Sequence, residues 1–489
     1  MPALAPANRL RVLARIAGPL FCLLILVFGP QDLEPPARRT LGVAAWMVTW
    51  LITECVPILA TSLLPIVLFP LLGIASTRDA AAPYANDLVF LFLAGFLLAA
   101  ALERWESHVR VAYRLVLLVG LTGRRVVLGV MVATGFISMW ISNTATAAMM
   151  YPIAIAIGGL FAADDAGRSA RTAIMLGVAY AASIGGMATL IGTPPNLVVA
   201  GAMRELTGTG IGFAQFMILG LPLTIILLPL CWALLVFVVF PARAHLGGGA
   251  DRVLRERLHQ LGPVRGGEAR VLLVFVLAAV AWILRERKEF GGFALPGLVD
   301  LFPRISDAAI GVGAAVVLFL VTGRTREGVQ RPLLTWEEAR SIPWDVLLFF
   351  GGGLSLAQAT EATGLTTWFG GGLSQLSGYP PALIYLGLAI AVLALSELAS
   401  NLAVATMMMP IAVALGHSTG LPAPILMLVA GFAASAGFAL PIATPPNTIV
   451  FGSGMITVRQ MAKAGILLDL VAVVVIAVVI GVLGPVVVK

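Results

Sequence analysis

Apolar stretches of roughly 18 residues or more recur from one end of this chain to the other, the length that a helix needs to cross a bilayer. Hydrocarbon offers no partner to a free backbone N–H or C=O, so such stretches must fold as helices or close into a barrel. The stretches are continuous rather than alternating, which excludes a barrel. Only 11% of the 489 residues are charged and 60% are hydrophobic, against about 25% charged in a soluble domain. Cytosolic and secreted globular enzymes are excluded on that ground. The sequence predicts an all-α polytopic membrane protein.

The net charge of +7 does not call for a nucleic-acid partner. It is the Lys/Arg excess that cytoplasmic loops carry under the positive-inside rule. Cys22, Cys55 and Cys231 lie in apolar stretches without metal-ligand spacing. His108, His245, His259 and His417 form no cluster in sequence, and no HExxH, Walker loop or GxSxG is present. No catalytic residues are expected.

The arginines before Ile16–Gly29 suggest a signal peptide, but Gly29-Pro30-Gln31-Asp32-Leu33 is a poor cleavage site, so this reads as a retained first span. Further spans are expected near 40–58, 59–74 and 86–102, then an amphipathic interval at 103–125 along the interface. The apolar segments 126–161, 172–200, 381–415 and 424–455 are interrupted, while 213–240, 270–284, 307–322, 343–359 and 464–487 are not. A polar loop at 241–269, containing Gly247-Gly248-Gly249 and several Arg, divides the chain near its middle.

The two halves repeat. Ser142-Asn143 returns as Ser400-Asn401, and Asp87 as Asp345, each 258 residues later; Gly192-Thr193-Pro194-Pro195-Asn196 returns as Ala443-Thr444-Pro445-Pro446-Asn447, 251 later. Duplication with broken helices in matching positions is the signature of a secondary transporter. Arg124, Arg125, Arg168 and Arg171 flank 126–161, whereas its counterpart lies in a stretch from Ser341 to Val458 without Lys or Arg. One segment should therefore have both ends inside and the other both ends outside. Each is a re-entrant hairpin, and the repeats are inverted. About eleven full spans plus these two hairpins, with a cytoplasmic N-terminus, put most of the 31 Lys and Arg inside. The dissent is Arg285-Glu286-Arg287-Lys288, which lands outside.

At the hairpin tips, Ser142, Asn143 and Thr144 stop one helix and begin another, as N-cap residues do. A helix N-terminus presents N–H groups and partial positive charge to an anion. Two such tips meeting at midplane would bind an anion without a buried Lys or Arg. The paired prolines remove backbone donors and push the preceding residue out of helix, which frees the carbonyls of Gly192 and Ala443 as oxygen ligands for Na⁺. A single proline would suit a plain kink; the duplicated Thr-Pro-Pro-Asn does not. Glu54, Glu397 and Asp469 sit in apolar surroundings and are functional candidates. Glu397 either braces its hairpin or carries a coupled proton, and Asp469 has no partner visible in sequence.

The paired tips, the paired breaks and Trp46-Met-Val-Thr-Trp-Leu-Ile-Thr-Glu54-Cys-Val-Pro57 together resemble the divalent anion/sodium symporter family, the INDY-like group of the ion-transporter superfamily. The resemblance implies an elevator-type transporter, homodimeric in membrane lipid. Scaffold spans would lie in 1–125 and 270–380, and transport-domain halves in 126–240 and 381–489, joined by the cytoplasmic linker 241–269. It implies a sodium-coupled symporter of divalent organic anions, C4-dicarboxylates such as succinate, malate or fumarate, in a bacterial inner membrane. Sulfate transport and sodium-independent dicarboxylate exchange are the alternatives. Na⁺ would be the co-transported ion, with no organic cofactor. By motif, one Na⁺ would meet Ser138, Ser142, Asn143 and Gly192, and the other Ser396, Ala399, Asn401 and Ala443. The anion would meet Asn143, Thr144, Asn401 and Leu402, with Thr193, Pro194, Thr444 and Pro445 at the breaks. Leu402 departs from the threonine of many relatives, and Val404 stands opposite Thr146. The second half of the anion site is thus less polar, which leaves room for sulfate or for an organic anion with an apolar portion.

The inverted arrangement has a direct test. Single cysteines at Gly378 and Gly420 should react with impermeant thiol reagents added outside intact cells. Labelling only after permeabilisation would overturn it.

Overall fold

A computed structural model describes residues 6–162, 164–242, 250–264, 266–290 and 293–488. The chain is helical apart from two short antiparallel ribbons, Lys288–Phe290 with Phe293–Leu295 and Thr322–Arg324 with Gln330–Pro332. Among the described residues, seven helices are long and apolar enough to cross a membrane, and three further apolar helices are shorter. The retained first span is the helix Pro6–Phe28, which packs on Pro35–Thr53.

The interrupted segments fold as the repeat predicts. The first hairpin is Gly123–Ser138 and Asn143–Gly158; the second is Pro381–Leu398 and Asn401–Thr419. The first broken helix is Asp165–Gly186 and Pro194–Thr207; the second is Ala423–Ala434 and Pro445–Phe451. Each break begins its second piece with the two prolines at the first helical turn, where a missing N–H costs nothing. The halves interlock reciprocally. Asn143–Gly158 packs on Pro445–Phe451, and Asn401–Thr419 packs on Pro194–Thr207. The long helices Phe213–Ala233 and Val458–Val487 pack on each other behind them.

Along Val458–Val487, Ile466, Leu470, Val474, Val478 and Val482 form an exposed stripe, while Leu468, Ala472, Ile476 and Ile480 are buried. An apolar stripe of that length on the outside faces lipid, not water. The same helix buries Asp469, so the acid points into the bundle.

Two expectations need correction. Glu54 is not enclosed within a span: it is exposed and caps the end of Pro35–Thr53 in a left-handed conformation, φ 45°. The polar interval 241–269 is not all loop, because Ala250–Gln260 is a helix. Its charges sit at helical spacing, Asp251 with Arg255, and Leu254 is buried on its inner face. The Gly247-Gly248-Gly249 run lies outside the described residues. Leu402, expected at the anion, is buried in the first turn of the helix Asn401–Thr419. The basic residues at 285–288 have a partial explanation, since Arg285 pairs with both Glu286 and Asp307.

The amphipathic interval forms the helix Ser107–Val119, with Arg110 and Val116 buried and Leu118 81% exposed. Arg110 fastens it. Its Nε donates to Glu268 Oε1 at 2.6 Å, its Nη2 to Glu268 Oε2 at 2.9 Å, and its Nη1 to the Gly262 carbonyl at 2.6 Å. The helix is thereby tied to Gly266–Ile283 and to the end of the linker. Removing one partner of a buried pair costs about 3–5 kcal/mol, whereas replacing both by apolar residues is often neutral. Glu268→Gln should therefore lower the unfolding temperature in detergent, and Arg110→Met/Glu268→Leu should recover most of the loss. Equal melting of Glu268→Gln and the parent protein would show that this pair is not the fastening.

Candidate functional site

The site is built twice from one pattern. In the first hairpin, Ser138 Oγ lies 2.9 Å from Asn143 Oδ1 and 2.7 Å from the Ala182 carbonyl of the first broken helix. In the second, Ser396 Oγ lies 2.8 Å from Asn401 Oδ1 and 2.6 Å from the Ala434 carbonyl. Both serines are fully buried. Each ties a hairpin tip to the helix that is about to break.

The breaks are equally alike. Thr193 and Thr444 cap the second pieces in nearly the same extended conformation, φ −146° ψ 145° and φ −138° ψ 149°. Unwound backbone in a bundle core needs partners for its carbonyls. The asparagine after each proline pair supplies them. Asn196 Nδ2 donates to the carbonyls of Gly186 at 2.9 Å and Thr189 at 2.7 Å. Asn447 Nδ2 reaches those of Gly437 at 3.5 Å and Leu440 at 3.0 Å. In both asparagines the side-chain oxygen is buried and has no donor. The Gly192 and Ala443 carbonyls are not among those the asparagines take.

The structure brings Ser138, Asn143 and Thr193 together, with Asn143 Nδ2 at 3.5 Å from Thr193 Oγ1. It brings Ser396 to Asn401. Ser142 is occupied in capping its own helix, accepting the Ala145 N–H at 3.3 Å, and Ser400 makes no such bond. Ala399 is extended at the second tip, φ −139° ψ 164°. Thr144 is exposed, and its counterpart Leu402 is buried. Thr146 turns its hydroxyl back to the Ile141 carbonyl at 3.3 Å, so the change to valine at 404 concerns hairpin packing.

Equivalent residues of the two breaks differ in exposure. Ile191 is 4% exposed and Ile442 72%. Pro194 is half-buried and Pro445 exposed; Leu197 is buried and Thr448 exposed. The second piece of the first broken helix is enclosed and tied down at its far end. Arg204 pairs with Asp87; Glu205 accepts from Asn86 at 3.0 Å and from Gln358 at 2.5 Å. Next to it, the Phe213 N–H donates to Asp307 at 2.9 Å. One side of the site is sealed and the other is open.

Two glycines that sequence reading passed over hold this geometry. Gly186 and Gly437 stand 251 residues apart, the offset of the breaks themselves, and that spacing was the available signal. A methyl on Gly186 would lie 2.1 Å from Asn143 Oδ1 and 2.9 Å from its Cγ. At Gly437 the nearest atoms would be Ala443 Cβ at 3.2 Å, Glu397 Oε1 at 3.4 Å and the Ser396 carbonyl at 3.5 Å. Thr189 and the partner of Asp469 have no such signal.

The protein family described as "Sodium:sulfate symporter transmembrane region" matches residues 9–489. A protein of Staphylococcus saprophyticus named "Sodium-dependent dicarboxylate transporter SdcS" is 40% identical over 96% of this chain and 91% of its own length. A Staphylococcus aureus protein of the same name is 39% identical over 99% of this chain and 93% of its own. Among solved structures, the YdaH transporter of Alcanivorax borkumensis is similar in fold, with a TM-score of 0.57 at 13% identity and 98% of each chain covered.

The glycine geometry predicts an asymmetric result. Gly186→Ala must push the Asn143 carboxamide away from Ser138, whereas Gly437→Ala meets only tight contacts. Transport by Gly186→Ala should fall about tenfold or more, a loss of ~1.4 kcal/mol or greater, and that by Gly437→Ala about threefold. Initial uptake rates in proteoliposomes, with melting curves to confirm folding, decide the matter. Equal effects of the two would reject the crowding argument.

Proposed function

This chain belongs to the sodium:sulfate symporter family, and from that premise we propose how it works. It is an integral membrane transporter and not an enzyme. It couples Na⁺ to the movement of divalent organic anions, with dicarboxylates as the substrate class. C4-dicarboxylates such as succinate, malate or fumarate are the cargo that best suits two helix tips, each able to take one carboxylate. The protein sits in a bacterial inner membrane as a homodimer, with its N-terminus cytoplasmic.

The observation that carries the sodium reading is the pair of orphaned asparagine oxygens. Asn196 Oδ1 and Asn447 Oδ1 are buried acceptors at matching places in the two halves. A buried acceptor without a donor calls for an ion or a water. Around them stand the serine hydroxyls, the tip carboxamides and the freed carbonyls, all oxygens of the kind a hard cation takes. One Na⁺ is assigned to Ser138, Ser142, Asn143 and Gly192, and the other to Ser396, Ala399, Asn401 and Ala443. The anion is assigned to Asn143 and Thr144 at one tip, Asn401 at the other, and the backbone at Thr193-Pro194 and Thr444-Pro445. Leu402, being buried, lines this site without bonding the anion.

Segments 126–240 and 381–489 form the moving part and segments 1–125 and 270–380 the scaffold. Arg204 and Glu205 tie the moving part to the scaffold at Asp87, Asn86 and Gln358. Those ties lie at the outer end of the first broken helix, and the exposed Pro445 and Thr448 lie toward the cytoplasm. The conformation is thus open inward, and an elevator motion outward must break the outer ties.

Purified protein in proteoliposomes should take up succinate when Na⁺ is present outside and little without it, with sulfate the weaker substrate. Asn143→Ala and Asn401→Ala should each raise the half-activating Na⁺ concentration about tenfold, the effect of ~1.4 kcal/mol. Undiminished succinate uptake in Na⁺-free buffer without any gradient would establish exchange instead. Preference for sulfate would reassign the anion.

A further inference from the structure

Where the span Asp87–Arg104 gives way to the amphipathic helix Ser107–Val119, a cavity of about 260 Å³ opens against the ribbon of Thr322–Arg324 and Gln330–Pro332. Its walls carry Arg104, Trp105, Glu106, Arg326, Glu327 and Arg331. Trp105 Nε1 donates to the Leu333 carbonyl at 2.8 Å and fixes the ribbon to the start of the amphipathic helix. Arg104 Nε and Arg331 Nη2 share one oxygen of Glu338, at 2.8 and 2.7 Å, and the other oxygen accepts the Thr335 N–H at 3.0 Å. One carboxylate thus serves two guanidinium groups. Arg326 pairs with Glu106 at 2.8 Å. Glu327 is exposed and takes part in none of the ion pairs among the described residues. The cavity therefore offers both signs of charge.

Its height in the membrane follows from its neighbours. Asp87–Arg104 ends at it, and the apolar helix Asp307–Leu320 ends just before the ribbon with Leu320 74% exposed. Trp344–Ala362 begins shortly after the ribbon. Trp336 and Trp344, 62% and 40% exposed, stand between the ribbon and that helix. Exposed tryptophans at the polar ends of apolar helices mark the level of lipid headgroups.

The other half has the same corner without these groups. Arg104, Trp105 and Glu106 are matched 258 residues on by Ala362, Thr363 and Gly364. Glu106 is left-handed at φ 53°, as its counterpart Gly364 is at φ 76°. Glycine takes that conformation freely and glutamate does not. An acid held against its backbone preference, at one of two equivalent corners, points to a use for the acid.

We propose that this cavity binds the headgroup of a phosphatidylethanolamine-type lipid, with the phosphodiester on Arg104 and Arg326 and the primary ammonium on Glu327. Guanidinium is the side chain whose fork matches phosphate oxygens. A purely anionic headgroup would leave Glu327 without a partner, and a quaternary ammonium has no N–H to donate to it. The exposed end of Asp307–Leu320, at Val316 and Leu320, gives the acyl chains an apolar seat beside the ribbon. The bound lipid joins the ribbon to the turn at Glu106 and so braces the helix that leads to the first hairpin. The same phosphodiester and ammonium occur in soluble glycerophosphoethanolamine, and only the acyl chains tell the two apart.

Native mass spectrometry of the purified protein in detergent, offered equal amounts of phosphatidylethanolamine, phosphatidylglycerol and phosphatidylcholine, reads the preference. Phosphatidylethanolamine should be retained about fivefold over either of the others. Glu327→Gln removes the acid and keeps the guanidinium groups, so it should bring phosphatidylethanolamine down to the level of phosphatidylglycerol. Arg104→Gln/Arg326→Gln should lower retention of both about tenfold. Glu106→Gly gives the turn the residue of its counterpart and frees Arg326. It should leave the unfolding temperature in lipid-free detergent no lower, while phosphatidylethanolamine retention falls about threefold.

Equal retention of phosphatidylethanolamine and phosphatidylglycerol by the parent protein overturns the proposal. So does parental preference in Glu327→Gln, or parental retention in the double arginine variant. Glycerophosphoethanolamine at the concentration of the lipid should displace little of it; full displacement would make this a site for a soluble phosphodiester and not for a lipid. Unfolding temperatures without lipid check that the variants are folded. Glu327 is exposed and outside every listed pair, so Glu327→Gln should melt with the parent and decides the matter even where the double variant melts early.

Discussion

An unwound backbone in the middle of a membrane protein must find a partner for every carbonyl it frees, because no water is at hand to take them. This chain meets part of that demand with one asparagine per break. Asn196 takes the carbonyls of Gly186 and Thr189, and Asn447 those of Gly437 and Leu440. The strap closes the loop on itself and makes the break a rigid object. Only then can a serine on the neighbouring hairpin, Ser138 or Ser396, bridge the tip asparagine and the helix before the break. The tip is therefore positioned by the break, and the break by its asparagine. Without the strap, the free carbonyls would compete for those serines and the oxygens of the site would have no fixed arrangement.

Two copies of one motif in one chain can occupy different surroundings, and here they do. Ile191 and Ile442 hold equivalent places and differ from 4% to 72% in exposure. Local sequence cannot be the cause, because it is nearly the same. The cause is what packs on the second piece of each broken helix. Pro194–Thr207 is enclosed by Trp344–Ala362, the second hairpin and Ala423–Ala434, while Pro445–Phe451 meets the first hairpin and Asp165–Gly186. Inverted repeats allow the two roles to be exchanged, which is the structural meaning of alternating access. The polar ties of Arg204 and Glu205 add a bias toward the present arrangement, and as partly exposed contacts they add only a modest one.

Much of this was legible in the sequence because it was written twice. The offset of 258 for the tips and 251 for the breaks identifies the hairpins, the broken helices and the serine–asparagine pairs without any coordinates. The amphipathic interval was legible too, from its charges, and became Ser107–Val119. What stayed hidden were contacts between distant segments that have no counterpart in the other half. Asp469 has no sequence signal for its partner, because that partner is a backbone amide of the second break, the Phe438 N–H, 31 residues away. Arg110 and Glu268 are equally silent, 158 residues apart. Glu54 misled because an apolar flank does not show whether a residue lies within a helix or at its end.

The coupling of anion to cation can be followed through one side chain. A carboxamide has an acceptor end and a donor end, and Asn143 uses them in different directions. Its oxygen faces Ser138 at 2.9 Å, on the side assigned to the cation, and its nitrogen faces Thr193 at 3.5 Å, on the side assigned to the anion. A cation on the oxygen side holds the amide in this sense and so points its N–H groups at the anion. Without the cation, the amide can turn and offer the anion an oxygen, which repels it. In the second half Asn401 is held by Ser396 in the same way, with Ser396 Oγ 2.8 Å from Asn401 Oδ1.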